Sequence, residues 1–261
     1  MSVNRPIVLC FSGHDPSGGA GIQADIETIV SHRCHAASVI TVLTEQDSRN
    51  VKKLLPQQPM NIISQAKTVL NDFKVSAIKI GLLGHEDTAL AIHDILRQCP
   101  GIPVVLDPVL AAGGGTELAG RQLMTAIAEK LLPLTTVLTP NSEEARRLAG
   151  MDDLAECAKL LQAKGAQNVL ITGTHEHSEL VHNRLFMPDN LSETFNWERL
   201  PHQYHGSGCT LASAIAALLA QGLDVFTAVN EAQEFTWNSL AAAFLPGKGQ
   251  YNPGRLFWMD A

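Results

Sequence analysis

Ile7-Val8-Leu9-Cys10-Phe11-Ser12-Gly13-His14-Asp15-Pro16-Ser17-Gly18-Gly19-Ala20-Gly21-Ile22 is the stretch from which the fold reads. An apolar run of strand length, Ile7–Phe11, opens into the loop Gly13–Gly21, after which the chain takes up helical spacing. Four glycines in these nine loop residues exceed the need of a plain strand-to-helix turn. They permit tight turning and close approach of backbone to a ligand. The loop matches neither the dinucleotide GxGxxG pattern nor the phosphate-binding GxxxxGK pattern, and it holds no lysine. Asp25, one helical turn past Gly21, is either a cap-region carboxylate or a ligand contact.

Outward from this stretch the same alternation repeats. Apolar runs recur at Ser38–Leu43, Ala77–Ile80, Val104–Leu106, Val137–Thr139 and Val169–Thr172. Most are continuous rather than alternating, as in strands buried on both faces of a parallel sheet. Between them lie helical stripes: Ile22, Ile26, Ile29 and Val30; Ile62, Ile63, Ala66, Val69 and Leu70; Ala89, Ile92, Ile95 and Leu96; Leu123, Ile127 and Leu131. Repeated strand–helix alternation implies α/β layering with right-handed crossovers. Near the end, Glu179–Phe186 and Thr194–Leu200 read as an antiparallel pair joined at Pro188-Asp189-Asn190. Helices follow over Thr210–Ala220 and Val225–Ala243. No repeat, low-complexity tract or polar linker divides the chain, so residues 1–261 read as one domain.

Composition narrows the function classes. The chain has 261 residues, 19 basic against 26 acidic, for a net charge of −7. No lysine or arginine block occurs, so nucleic acid or an anionic membrane is not the expected partner. A small anion remains a candidate, because backbone amides bind phosphate without net positive charge. The five cysteines, Cys10, Cys34, Cys99, Cys157 and Cys209, form no CxxC pair. Met1 to Pro6 is polar and leads into an apolar run too short for a signal region. A reducing cytoplasm is the expected location. Ten histidines show no third partner at zinc-ligand spacing, and most read as surface or loop residues.

Two further motifs carry chemistry. Gly206-Ser207-Gly208-Cys209-Thr210 precedes a helix of small apolar residues. The first amides of a helix lack intrahelical partners and carry the positive end of its dipole. That arrangement is an anion hole suited to a phosphoryl group in transfer. The same field is expected to acidify Cys209, which acts as a base toward a hydroxyl or merely occupies the first turn. His205 directly precedes the turn and is a candidate substrate contact. The other motif is Asn141-Ser142-Glu143-Glu144, where Asn141 and Glu144 form a helix cap or aim through water at Mg²⁺. Asp107, at the carboxyl end of its strand, is a second carboxylate at the edge where open α/β sheets bind ligands.

Taken together, these pieces resemble the ribokinase superfamily, specifically the hydroxymethylpyrimidine/phosphomethylpyrimidine kinases of thiamine biosynthesis. The likeness rests on Ser12–Asp25, Ser38–Thr41 with Gln46, Lys79–Leu83, Leu106–Val109, Leu138–Asn141 with Glu144, and His205–Leu211, in the family's order. It implies a ribokinase-like, doubly wound, mostly parallel sheet flanked by helices, ATP and Mg²⁺, and two successive phosphorylations of 4-amino-5-hydroxymethyl-2-methylpyrimidine. By the same resemblance Gln46 hydrogen-bonds the pyrimidine, and Gly13, Ala20, Asp25, Thr44, Leu82 and Val109 line its pocket. Asp107, Asn141 and Glu144 serve metal and phosphates, with Thr172 and Gly173 at the ATP phosphates. Gly206, Ser207, Gly208 and Cys209 form the anion hole, Cys209 standing where sugar-kinase relatives carry an aspartate base. A homodimer is also implied.

Three departures from the family pattern stand out. Thr172 stands where relatives often carry a phosphate-contacting lysine, which alters the charge balance at the triphosphate. Thr44 and Leu82 replace residues that are often more apolar or sulfur-bearing. The anion hole reads Gly-Ser-Gly-Cys rather than Gly-Thr-Gly-Cys. Rival readings are a pyridoxal-type kinase on the same fold, a pyrimidine-binding protein that has lost catalysis, and a nicotinamide-dependent oxidoreductase. The last rests on the first glycine loop alone, because Thr41–Thr44 is neutral where an acidic residue should end the second strand, although Glu45 follows directly.

Overall fold

A computed structural model describes residues 5–259; the remaining positions, including most of the polar start and the ends of the proposed 1–261 domain, lie outside the described residues. β1 (Ile7–His14) enters the glycine loop, and α1 (Gly21–Ser31) leaves it. Then follow β2 (His35–Gln46), β3 (Val51–Pro56), α2 (Pro59–Asp72), β4 (Val75–Ile80), α3 (Glu86–Leu96) and β5 (Val104–Leu106). The second half runs α4 (Arg121–Ala126), β6 (Val137–Leu138), α5 (Ser142–Ala149), α6 (Leu154–Ala163), β7 (Asn168–Ile171), β8 (Leu180–Phe186), β9 (Ser192–Glu198), α7 (Ser207–Ala220) and α8 (Val225–Ala241).

The nine strands form one sheet in the order β3-β2-β1-β4-β5-β6-β7-β8-β9. Pairing is parallel from β2 through β7 and antiparallel at β2–β3, β7–β8 and β8–β9. Strand order reverses at β1, so a crevice opens between the carboxyl ends of β1 and β4, the place where such sheets bind ligands. Alternation along each strand divides the core into two layers. Leu9, Phe11, Ile78, Ile80 and Leu106 pack under α2 to α6. Val8, Cys10, Ala77 and Val105 pack under α1, α7 and α8. Because both faces are covered, these strands read as unbroken apolar runs.

Two expectations need correction. β3 carries no strand-like alternation, since Lys52, Lys53, Leu55 and Pro56 are all exposed. It is an edge strand held by β2 on one side only, and charged or proline-bearing edges are the norm. β2 runs on through Thr44 and Gln46 to pair with it, well past the expected end at Leu43. On α1, Ile26 and Val30 are exposed, while the buried face is Ile22, Ala24, Asp25, Thr28 and Ile29. A carboxylate occupies the core position that the stripe assigned to an aliphatic residue.

Candidate active site

The glycine loop is built on Asp15. Its Oδ1 accepts from the Ser17 amide and hydroxyl, both at 2.7 Å, and its Oδ2 from the Ala20 amide at 2.8 Å. His205 Nε2 reaches Asp15 Oδ2 at 2.9 Å and ties this loop to the turn before α7. Burial alone would raise the Asp15 carboxyl, but these bonds and the His205 charge hold it down at about 2. Gly21, at φ +58°, lies so close to the Gly13 carbonyl that a side chain there would overlap it.

Of the residues expected around the pyrimidine, Gly13, Thr44, Gln46 and Leu82 lie at or just past the ends of β1, β2 and β4. Gly13 packs against Leu82 and Val42, with Cβ space of only 3.0–3.1 Å. Thr44 spends its hydroxyl on the His14 carbonyl, 2.9 Å away, so its polarity serves the turn. Gln46 and His205 line one crevice with Asn50, Ala112 and Gln250. Ala20 and Val109 are half-buried near the ends of their elements. Asp25, expected in the pocket, is fully buried instead. Its Oδ1 accepts from Lys79 Nζ at 2.8 Å and from Ser213 Oγ at 2.7 Å, and Ser12 Oγ donates to Oδ2. It therefore joins β1, α1, β4 and α7 behind the crevice.

Lys79 had no role in the sequence reading beyond its place in a motif. Fully buried, it pairs with Asp25 and Ser12. Burial would lower the ammonium, but Asp25, with Cys209 and Asp107 nearby, raises it above the ordinary lysine value. The signal was present: a lysine inside the apolar run Ala77–Ile80 has to find a carboxylate once both faces are covered.

The turn expected to form the anion hole leads directly into α7. Gly206 adopts the left-handed conformation at φ +82°, and no side chain caps α7. The first bond back is Thr210 N to Gly206 O at 2.9 Å, so the amides of Ser207, Gly208 and Cys209 precede the helical ladder. Gly208 lies against the Asp107 carboxylate, with 3.6 Å from its Cβ position to Oδ2. The expected acidification of Cys209 is overturned. Burial pushes its thiol up to about 12; Lys79 pulls down, while Asp107 and Asp25 push further up.

The remaining positions lie at the ends of β5, β6 and β7. Asn141 and Glu144 make the reciprocal cap of α5. Asn141 Oδ1 accepts from the Glu144 amide at 2.9 Å, and Glu144 Oε2 from the Asn141 amide at 3.0 Å. Glu144 Oε1 also accepts from Leu110 N at 3.0 Å, which places this carboxylate beside Asp107. Burial raises Asp107 to about 6. Burial and the Asp107 charge raise Glu144 to about 7. Thr172 bridges to Asn141, its backbone bonded to Pro140 and Ser142. Gly173 does not offer its amide to a phosphate, because that amide donates to Asn183 Oδ1 at 3.0 Å. Its lack of a side chain is explained by the His182 carbonyl packed against it.

Asp107 and Glu144 are buried acids with no ion-pair partner among the described residues, since the buried Lys79 is already paired to Asp25. That donor chemistry fits a divalent cation held through few protein ligands and several waters. Between pH 4 and 7 the folded chain retains protons on Asp107 and Glu144 that the unfolded chain has lost, so stability falls as pH rises through this window. Mg²⁺ is therefore expected to raise Tm more at pH 8 than at pH 5, as read by thermal scans with and without the metal. An equal Tm shift at both pH values would count against these two carboxylates as its seat.

Known proteins bear on the site. The family model described as phosphomethylpyrimidine kinase matches residues 15–254. The hydroxymethylpyrimidine/phosphomethylpyrimidine kinase of Haemophilus influenzae is 38% identical, over 93% of this chain and 93% of its own. Its counterpart in Synechococcus elongatus is 34% identical over 97% and 98%. Among solved structures, an ADP complex of Bacillus subtilis pyridoxal kinase superposes with a TM-score of 0.88 at 31% identity, covering 98% of this chain and 100% of its own. A phosphomethylpyrimidine kinase from Clostridium difficile gives 0.79 at 28% identity, over 90% and 100%.

Proposed function

The chain belongs to the phosphomethylpyrimidine kinase family, and from that premise we propose that it transfers the ATP γ-phosphoryl group to 4-amino-5-hydroxymethyl-2-methylpyrimidine and then to the monophosphate. The observation that carries this reading is the uncapped amino end of α7 set against Asp107, which directly follows β5, the strand beside the β1–β4 reversal. In phosphoryl transfer, positioning and charge stabilisation supply most of the catalysis. The amides of Ser207, Gly208 and Cys209 meet charge developing on the transferred group. Gln46 holds the pyrimidine edge, between walls formed by Gly13, Ala20, Leu82 and Val109. Asn141 and the Thr172 hydroxyl face the ATP phosphates. Asp107 and Glu144 hold Mg²⁺, which when bound neutralises phosphate charge. We read the protein as one cytoplasmic kinase domain acting as a homodimer. In support, the five cysteines are free, and no helix among the described residues is long and apolar enough to cross a membrane.

One ATP-dependent assay with the pyrimidine, followed by product mass, tests the reaction and counts the phosphates. The close superposition on pyridoxal kinases supports a second reading, in which pyridoxal is the acceptor. Side-by-side assays decide between them, and a much higher kcat/KM for pyridoxal would overturn the pyrimidine assignment. Pyrimidine binding with no ADP formed would mark a protein that has lost catalysis.

Cys209 carries a separate prediction. Cys209→Ala keeps the backbone amide and removes only the thiol, and it is expected to lower kcat by about 10²-fold with a small change in KM, the low end of the scale for a lost general base. Its thiol titrates far above neutrality, so a thiolate base would make kcat climb about tenfold per pH unit from 6 to 9. A flat wild-type profile over that range would assign the rate to the amides and leave the thiol as packing.

A further inference from the structure

We propose that Arg255 is a positioning residue, one that holds the two glycine turns of the active site in register. This role rests on the kinase reading above and deepens it. Arg255 lies one residue past the span matched by the family model and is only 2% exposed. Its guanidinium is divided among three elements. Nη2 donates to the Gly19 carbonyl in the first glycine turn. Nε donates to Thr210 Oγ1 in α7 at 2.9 Å. Nη1 donates to Glu27 Oε2 on α1 at 3.0 Å, which balances the charge.

The route continues into the anion hole. Thr210 Oγ1 donates in turn to the Gly206 carbonyl at 2.8 Å. One planar cation therefore fixes Gly19 directly and Gly206 through a single hydroxyl. The two turns touch at this point, since a Cβ on Gly206 would overlap the Gly19 carbonyl oxygen. The fork geometry of arginine suits such divided bonding, and a lysine cannot reproduce it. Arg255 is buried, so its effect passes through the backbone of the two turns. His205 and Asp15 link the same turns independently. Removing Arg255 should therefore loosen the register without parting the turns.

The test compares full-length wild type, Arg255→Ala, Arg255→Lys, Thr210→Val and Glu27→Gln. Misplacement of reacting groups by about 1 Å costs on the order of 10²-fold in rate, so Arg255→Ala should lose about that much in kcat with little change in either KM. Added methylguanidine should restore part of the loss in Arg255→Ala and leave wild type unaffected. Arg255→Lys should recover little. Thr210→Val, which keeps the shape and removes the hydroxyl, should lose kcat by about tenfold through one missing hydrogen bond. Glu27→Gln keeps an acceptor and should stay near wild type. Wild-type kcat in Arg255→Ala would overturn the role, as would a kcat loss that only follows the unfolded fraction and resists methylguanidine. If Arg255→Ala does not fold, Thr210→Val decides alone, and full kcat there overturns the route. Amide exchange is measured on every variant, whatever its activity. Faster exchange over 15–20 and 206–210 in Arg255→Ala and Thr210→Val, with β5 and β6 unchanged, supports the role, and wild-type exchange in both of these variants overturns it. Wild type that forms no ADP would instead count against the kinase reading, and the exchange data would still judge Arg255.

Discussion

Replacing Lys79 with methionine is expected to destabilise the folded protein by about 3–5 kcal/mol, the usual cost of stranding one member of a buried ion pair. Lys79 and Asp25 are both fully buried, 2.8 Å apart. Methionine fills the space but leaves the Asp25 charge with only the Ser12 and Ser213 hydroxyls. Those two bonds satisfy oxygen lone pairs and do not neutralise the charge. In a chain of this size the loss corresponds to a Tm decrease on the order of 10 °C. The double variant Lys79→Met/Asp25→Asn removes both charges while keeping the shape of the acid, and it should regain most of the lost stability. Urea unfolding at neutral pH without ligand measures both variants. A single variant as stable as wild type would show that the pair contributes nothing. A double variant no better than the single one would place the cost in packing rather than charge. The single variant should also raise the Cys209 thiol and Asp107 further, since Lys79 lowers both.

Gly206→Ala is expected to reduce kcat by about 10²–10³-fold, the scale of losing one oxyanion-type donor. Gly206 sits at φ +82°, where a Cβ would overlap the Gly19 carbonyl and lie 2.8 Å from Arg255 Nη2. The left-handed backbone alone costs an L-residue about 1–2 kcal/mol. Relieving the overlap also moves the glycine turn or swings the first turn of α7, and either displaces the free amides. Gly222→Ala separates the two effects. Gly222 has φ +92° with nothing within 4 Å of its Cβ position, and it lies past the far end of α7. It should lose stability on the same backbone scale while keeping wild-type kcat. Equal activities for the two variants would show that the contact between the turns is not what holds the anion hole.

These two glycines mark how far the chain could be read in one dimension. Four glycines after Ile7–Phe11 announced a strand, a ligand loop and a helix, and β1, the loop and α1 follow in that order. Continuous apolar runs announced a parallel sheet covered on both sides, which the two core layers explain. The strand Val51–Pro56 stayed hidden because an edge strand has one partner and no buried face to print a period on its sequence. The outward turn of Ile26 and Val30 stayed hidden because Asp25 takes a core position. Only the arrival of Lys79 from β4 makes that burial tolerable.

The site divides along the same line. Local motifs located Asp107, the Asn141–Glu144 cap and the Gly206–Cys209 turn, because a cap or a helix end is written in adjacent residues. They did not set the thiol of Cys209. A helix amino end favours a thiolate, but burial beside Asp107 and Asp25 reverses the direction. Nor did they show that Gly173 has already spent its amide on Asn183.

What the sequence by itself determined is the order of strands, loops and helices, the family, and the two glycine-bearing backbone turns. These depend on neighbours along the chain. What only the tertiary structure decided is which charges are paired, which amides remain free, and that Arg255, more than two hundred residues from Gly19, braces both turns. Those depend on desolvation and contact between distant segments, and neither quantity exists until the sheet has closed over them.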